Sequence, residues 1–332
     1  MDKQKAILII QTAFIGDLIL ATPLIEKLAR FFPDYAIDIL VRKGNEALLQ
    51  EHPHLRQVLI WDKKSDKYKN WWRMLQTIRG ERYDYLINVQ RFFSTGLLSA
   101  LSKARNIIGF NKNPLSFSFT KVVPHEIGNG KHEVARNLSL ISSLTDESFQ
   151  RPTLYPPKSS EEKVKAYQKV PYVCMAPTSV WFTKQMPPQK WQELISLIPK
   201  GIRIYLLGAP SDAEDCEAIK EAAKHTDVVN LAGKLSLIDS AQLISGAQMT
   251  YVNDSAPMHM ASSVNAPTTA FFCSTIPAFG FGPLADRSYV VETREELSCR
   301  PCGLHGKKAC PEGHFKCALN IPFEQRILPV QN

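Results

Sequence analysis

The chain has 332 residues, of which 44% are hydrophobic and 22% charged; that is long enough for two domains and excludes wholesale disorder. No apolar run approaches the roughly 20 residues of a membrane-spanning helix, and the start MDKQKAILII lacks the length and cleavage site of a signal peptide, so a cytoplasmic address is expected. The net charge of +8 is uneven: residues 1–150 carry 21 Lys and Arg against 15 Asp and Glu. This excess suits a phosphorylated glycan, an anionic membrane or nucleic acid, and equally a merely solvated surface.

Residues 6–10 are a short apolar run, read as a buried strand. Residues 18–32 repeat apolar side chains at helical spacing and predict one long helix, ended by Pro33. Strands are then expected at 37–41, 58–61 and 85–89, with helices at 44–51, 71–78 and 96–103. The Pro-rich stretch 151–168 reads as a linker. Alternation restarts with strands at 172–176, 202–207, 228–231, 250–253 and 268–273, and helices at 187–198, 213–224, 238–246 and 257–263. The expectation is α/β: two doubly wound, Rossmann-like domains, 1–155 and 156–332, with a cleft between them. Neither half has a GxGxxG after its first strand, which disfavours a dinucleotide dehydrogenase.

Five places carry candidate chemistry. Asp17 follows the first strand's loop; there it either caps a helix or deprotonates a substrate hydroxyl. Residues 176–191 offer the hydroxyls of Thr178, Ser179 and Thr183 and the Lys184 ammonium, a set suited to a diphosphate; Lys184 as a surface lysine, and Trp181 and Trp191 as packing residues, are the plainer readings. Asp254, Ser255, Ala256 and His259 open a helix after a strand, where free N–H groups can hold an anion, although a capping pair beside a core histidine would look the same. Cys299, Cys302, Cys310 and Cys317 are spaced C-x2-C-x7-C-x6-C, half of a zinc-knuckle pattern or a thiol-rich packed segment without metal. Residues 63–75 interleave basic residues with Trp71 and Trp72, as an interfacial helix does or as one whose tryptophans face the core.

At these residues the sequence resembles glycosyltransferase family 9, the ADP-heptose:lipopolysaccharide heptosyltransferases. The resemblance runs through Gly16-Asp17, Thr22-Pro23, His132-Glu133, Arg136-Asn137, Thr178-Ser179 with Lys184, and Leu207-Gly208-Ala209-Pro210. It continues through Gly233 with Leu235-Ser236-Leu237, Asp254-Ser255 with His259, Gly282-Pro283 and the terminal cysteines. The segment VWFTK is more like the second heptosyltransferases than the first.

The resemblance implies a GT-B architecture, with an acceptor-binding N-terminal domain and a nucleotide-sugar-binding C-terminal domain. It implies inverting, metal-independent transfer of heptose from ADP-L-glycero-D-manno-heptose to the lipopolysaccharide core or a lipid A-Kdo acceptor, on or near the cytoplasmic face of the inner membrane. Asp17 would be the base. Lys184, Thr178 and Ser179 would stabilise the leaving diphosphate, and Asp212, Leu235, Asp254, Ser255, Ala256 and His259 would line the donor. No cofactor is implied, and no nucleic-acid motif is present. One departure stands out. Ala256-Pro257 replaces the glycine expected after Asp-Ser; because Ala resists positive φ, a different backbone approach to the donor is predicted. Another nucleotide-sugar donor, or a non-catalytic glycan-binding role, is the alternative.

Overall fold

The structure, a computed structural model, describes residues 4–329. The chain divides into two compact units, Met1–Tyr155 and Pro156–Asn332.

In the first unit, β1 (Ala6–Ile10) consists of five fully buried apolar residues. A strand covered on both faces needs no polar alternation, which is why it reads as a continuous apolar run. In chain order follow α1 (Ile15–Ile19), α2 (Thr22–Phe31), β2 (Ala36–Arg42), β3 (Gln57–Trp61), α3 (Lys67–Glu81), β4 (Tyr85–Asn88), α4 (Phe93–Leu101), β5 (Asn106–Phe110), β6 (Lys121–Val123) and α5 (Glu133–Ser139). The strands are parallel, in the order β3-β2-β1-β4-β5-β6. The chain leaves β1 toward β2 on one side and returns to β4 on the other, so the gap between β1 and β4 is the switch point of the sheet.

The long helix expected at 18–32 is broken into α1 and α2 at Leu20 and Ala21. Pro23 is the cause: it has no N–H, and its ring would clash with the carbonyl four residues earlier, so it is tolerated only in the first turn of a new helix. The Thr22 hydroxyl takes up the freed Ile19 carbonyl at 2.8 Å.

The second unit opens with α6 (Lys158–Val164), where the sequence suggested linker. Its Ser160 hydroxyl and Lys163 ammonium reach Asp239 at 2.5 and 3.2 Å, so tertiary contacts order a segment whose prolines precede the helix. Then come β7 (Tyr172–Ala176), α7 (Pro188–Leu197), β8 (Arg203–Leu206), α8 (Ala213–Ala222), β9 (Val228–Asn230), α9 (Leu237–Ser245), β10 (Thr250–Asn253), α10 (Ala256–Ser263), β11 (Thr268–Phe272), β12 (Ser288–Glu292) and α11 (Lys316–Leu319). The sheet repeats the first unit's topology, β12-β11-β10-β7-β8-β9, again all parallel. Its switch point lies between β7 and β10. One core cluster joins Met175, Trp191, Leu194, Leu206, Tyr251, Phe271 and Cys317; Trp191 is thus a packing residue, its indole N–H bonded to the Met186 carbonyl at 3.0 Å.

Candidate functional site

Each sheet presents its carboxyl edge at its switch point. In the first unit Ile10 pairs with Asn88, and the next residues join across the gap through the Gln11 and Gln90 side-chain amides. Asp17 follows on α1. It does not cap that helix: the N-cap position is Phe14, and no side-chain cap bond is present. The carboxyl is half-buried and its pKa is raised to about 6, first by desolvation and then by the negative charge of Glu133, against the pull of the Phe14 amide and Arg91. Glu133 remains ionised. Burial works against its charge, but His125 and Arg136 outweigh it and hold the group below the ordinary carboxylate range; the Arg136 guanidinium lies 2.6 Å away. A carboxylate poised near neutrality at a strand's carboxyl edge has the property of a general base. Lys63 borders the same edge, donating to the Thr12 hydroxyl at 2.7 Å; burial, then Arg42, lowers its pKa to about 8.

In the second unit Ala176 pairs with Val252. The loop leaving β7 is held at both ends by one side chain, Asn253: its amide donates to the Pro177 carbonyl at 2.8 Å and accepts from the Met186 N–H at 2.9 Å. Within the loop the Thr178 hydroxyl meets Asp212 at 3.0 Å, and the Lys184 ammonium meets Asp254 at 2.7 Å. The second Asp254 contact is the Thr275 hydroxyl, also at 2.7 Å. Asp212 further accepts the Ala209 N–H at 2.8 Å, and Gly233 N–H bonds the Gly208 carbonyl at 2.9 Å. The loops after β7, β8, β9 and β10 are therefore tied into one polar surface.

The other sequence candidates separate. Ser179 lies in the β7 loop, where its carbonyl accepts from Gln185. Ser255 is the N-cap of α10, without a side-chain cap bond. Ala256 is the first helical residue of α10 and Pro257 the second, and Ala256 is not among the residues with positive φ. The backbone here thus avoids the left-handed conformation that Ala256 resists, and Pro257 suits the first turn of a helix. His259 is buried on α10, and Leu235 is half-buried in the loop before α9. Thr183 is not a free hydroxyl for phosphate: it is 1% exposed and bonded to Lys307 and Ser274. Among the described residues no three His, Cys, Asp or Glu side chains are gathered for a metal. Cys317 is packed in the core, where burial pushes its thiol up to about 11, whereas Cys299, Cys302 and Cys310 are half-exposed.

Sequence reasoning missed Asn253, Thr275 and Glu133 as parts of these surfaces. Asn253 and Thr275 stand at or just after strand ends, the one signal that could have found them.

Each of the two units is therefore a doubly wound sheet with a polar surface at its switch point, where such folds place ligands. Residues 71–313 match glycosyltransferase family 9 (heptosyltransferase). The chain belongs to that family. The transferase is 30% identical over 281 residues to lipopolysaccharide heptosyltransferase 3 of Escherichia coli, covering 79% of this chain and 82% of that protein. The structure of E. coli ADP-heptose LPS heptosyltransferase II matches with a TM-score of 0.77 at 20% identity, over 90% of this chain and 95% of that one. E. coli heptosyltransferase WaaC with ADP matches with a TM-score of 0.69 at 20% identity, over 86% and 92%. The two structures share the transferase's fold. Similarity extends across differently numbered heptosyltransferases and does not single out the second type.

Proposed function

We propose that the transferase moves heptose from ADP-L-glycero-D-manno-heptose to the lipopolysaccharide inner core, with inversion and without a metal ion. Asp17 takes the proton from an acceptor hydroxyl as that oxygen attacks the anomeric carbon. The bond from that carbon to the diphosphate breaks, and ADP leaves. Lys184 supplies the cation that meets the growing charge on the diphosphate, with the hydroxyls of Thr178 and Ser179 and the free N–H groups at the start of α10 as further donors. Asp212, Leu235, Asp254, Ser255, Ala256 and His259 belong to the donor surface in this reading, and the first unit takes the acceptor.

The observation that carries the mechanism is Asp17, whose pKa of about 6 leaves it ionised yet basic at neutral pH. The donor is inferred from the relatives. The test is direct: the purified chain with ADP-heptose and heptose-deficient lipopolysaccharide releases ADP. Turnover with UDP- or GDP-sugars alone would reject the donor, and an Asp17→Asn variant with full turnover would reject the base.

The same reading puts the protein at the cytoplasmic face of the inner membrane, where a lipid-linked acceptor lies. No helix among the described residues is long and apolar enough to cross a membrane. The exposed face of α3 supports peripheral contact: Tyr68 and Trp72 are 81% and 56% exposed, one turn apart, beside Lys69 and Arg73. Trp71 instead packs against the core, with its N–H on the Ser94 carbonyl at 3.2 Å, which sets α3 against the start of α4. Phe92 and Phe93 are exposed there too. Basic residues interleaved with outward aromatics suit an anionic bilayer surface.

A further inference from the structure

The cysteine-rich segment 299–317 has no part in the chemistry above, yet it lies against the Lys184 stem and bonds the backbone of Thr275, whose hydroxyl holds Asp254. On the lysine side its Gly306–Lys307 turn closes over the β7 loop. The Thr183 N–H donates to the Lys307 carbonyl at 3.1 Å, and the Lys307 N–H donates back to the Thr183 hydroxyl at 2.7 Å. Thr183 is also joined to Ser274 twice: its carbonyl accepts the Ser274 N–H at 3.2 Å, and the two hydroxyls lie 3.0 Å apart. Gly306 has φ +72, and a Cβ placed on it would stand 3.1 Å from the Lys184 Cγ and 3.1 Å from the Thr183 hydroxyl. Phe315 stacks on Phe182 at 5.2 Å.

On the carboxylate side, the Arg300 guanidinium donates to the Cys273 carbonyl at 2.7 Å and to the Thr275 carbonyl at 2.8 Å. Thr275 is the residue whose hydroxyl holds Asp254. The Cys302 N–H bonds the Ser274 carbonyl at 2.9 Å.

We propose that segment 299–317 is a strap that fixes the Lys184 ammonium against Asp254, and that Thr183 is the positioning residue through which it acts. Asn253 pins the two ends of the β7 loop but leaves eight residues between them; Thr183 is a buried anchor inside that span, one residue from the lysine. A long ammonium side chain has several rotatable bonds. Its stem is confined here by the Gly306 turn, and its backbone by the exchange with Lys307. Small displacements of a charge that must meet a diphosphate are costly, so a buried anchor next to it acts on the site without touching the ligand.

The proposal rests on Lys184 binding the donor diphosphate, and the experiment separates the two. ADP binding is measured by titration calorimetry on the full chain for wild type, Thr183→Val, Thr183→Ser, Gly306→Ala and Lys184→Ala. Thr183→Val keeps the shape but removes the acceptor for Lys307 and the partner of Ser274. It is expected to weaken ADP by about 10-fold, the scale of one buried hydrogen-bonding partner lost. Thr183→Ser is expected to restore most of that affinity, and Gly306→Ala to weaken ADP while leaving Thr183 itself intact. A purely structural role would lower the folded fraction, read as the stoichiometry of binding, without moving the dissociation constant. Unchanged ADP affinity in Thr183→Val, or no recovery in Thr183→Ser, overturns the proposal if Lys184→Ala binds weakly. Unchanged affinity in Lys184→Ala overturns the donor-site reading beneath it.

Discussion

Lys184 and Asp254 lie 2.7 Å apart, both largely shielded from solvent, with the carboxylate taking a second bond from Thr275. A pair of this kind does two things. It settles where the ammonium sits, and it leaves further N–H donors on the same nitrogen for a phosphate oxygen. Removing one member strands the other's charge in a poorly solvated place.

The first prediction follows from that asymmetry. Lys184→Ala should lower turnover by about 10²–10³-fold, the range for losing one preorganised electrostatic donor. It should also destabilise the fold, by up to roughly 3–5 kcal/mol if Asp254 stays charged and unpaired. The double variant Lys184→Ala/Asp254→Asn should recover much of the stability and none of the activity. Chemical denaturation and steady-state kinetics on wild type and the two variants check this; equal stability of single and double variants would contradict it.

A second prediction concerns pH. Asp17 has a folded pKa of about 6 against an ordinary carboxylate value near 4. As a base it must be ionised, so kcat/KM should rise with pH through about 6 and then level off. The stability effect has the opposite sense. Between the unfolded and folded values the native state holds the extra proton, so Asp17 makes stability fall as pH rises through that window. Asp17→Asn should therefore be more stable than wild type at pH 7.5, by roughly 2–3 kcal/mol, with the difference gone by about pH 4. Turnover should drop about 10²–10⁴-fold. Thermal melts across pH beside the kinetic profile provide the check.

A third prediction concerns Gly233, which has φ +73 and approaches Pro210 so closely that a Cβ would stand 2.8 Å from its Cα. Gly233→Ala combines a left-handed backbone with a clash against main chain. It should cost about 1–3 kcal/mol and raise the donor KM, because the loops carrying Asp212 and Leu235 meet at this contact. A variant with wild-type melting temperature and donor KM would show the contact to be dispensable.

The α3 face gives a fourth. Lys69→Glu/Trp72→Ser/Arg73→Glu changes only exposed positions. It should abolish co-sedimentation with phosphatidylglycerol-rich vesicles while leaving turnover on a short water-soluble acceptor within about twofold, as surface substitutions away from a site usually do. Equal vesicle binding by this variant and wild type would remove α3 from the membrane.

Strands covered on both faces were plain in the sequence: β1 and β7 are short apolar runs, β2, β10 and β11 are rich in β-branched and aromatic residues, and their order with intervening helical spacing points to the doubly wound class. The strands β5, β6 and β12 escaped notice. β6 and β12 are sheet edges with exposed positions that dilute the pattern, and Gly109 weakens the β signal of β5. The helix that should have run through 18–32 failed at Pro23, where a favourable period was outweighed by one missing N–H. At the site, Asp17, Lys184 and Asp254 could be singled out because loops at the carboxyl ends of parallel strands are where such folds place ligands. Thr183 could be named as a hydroxyl but not as a buried anchor.

The sequence by itself determined the central strands, most of the helices between them and which polar loops follow which strands, because these depend on the local spacing of apolar and turn-forming residues. Only the tertiary structure decided that Lys184 meets Asp254 across a sequence separation of seventy residues. It also decided that a glycine turn from segment 299–317 lies beside that lysine, and that Asp17 is desolvated beside Glu133. Those properties arise from distances and dielectric surroundings created when remote segments pack together, and no local pattern encodes them.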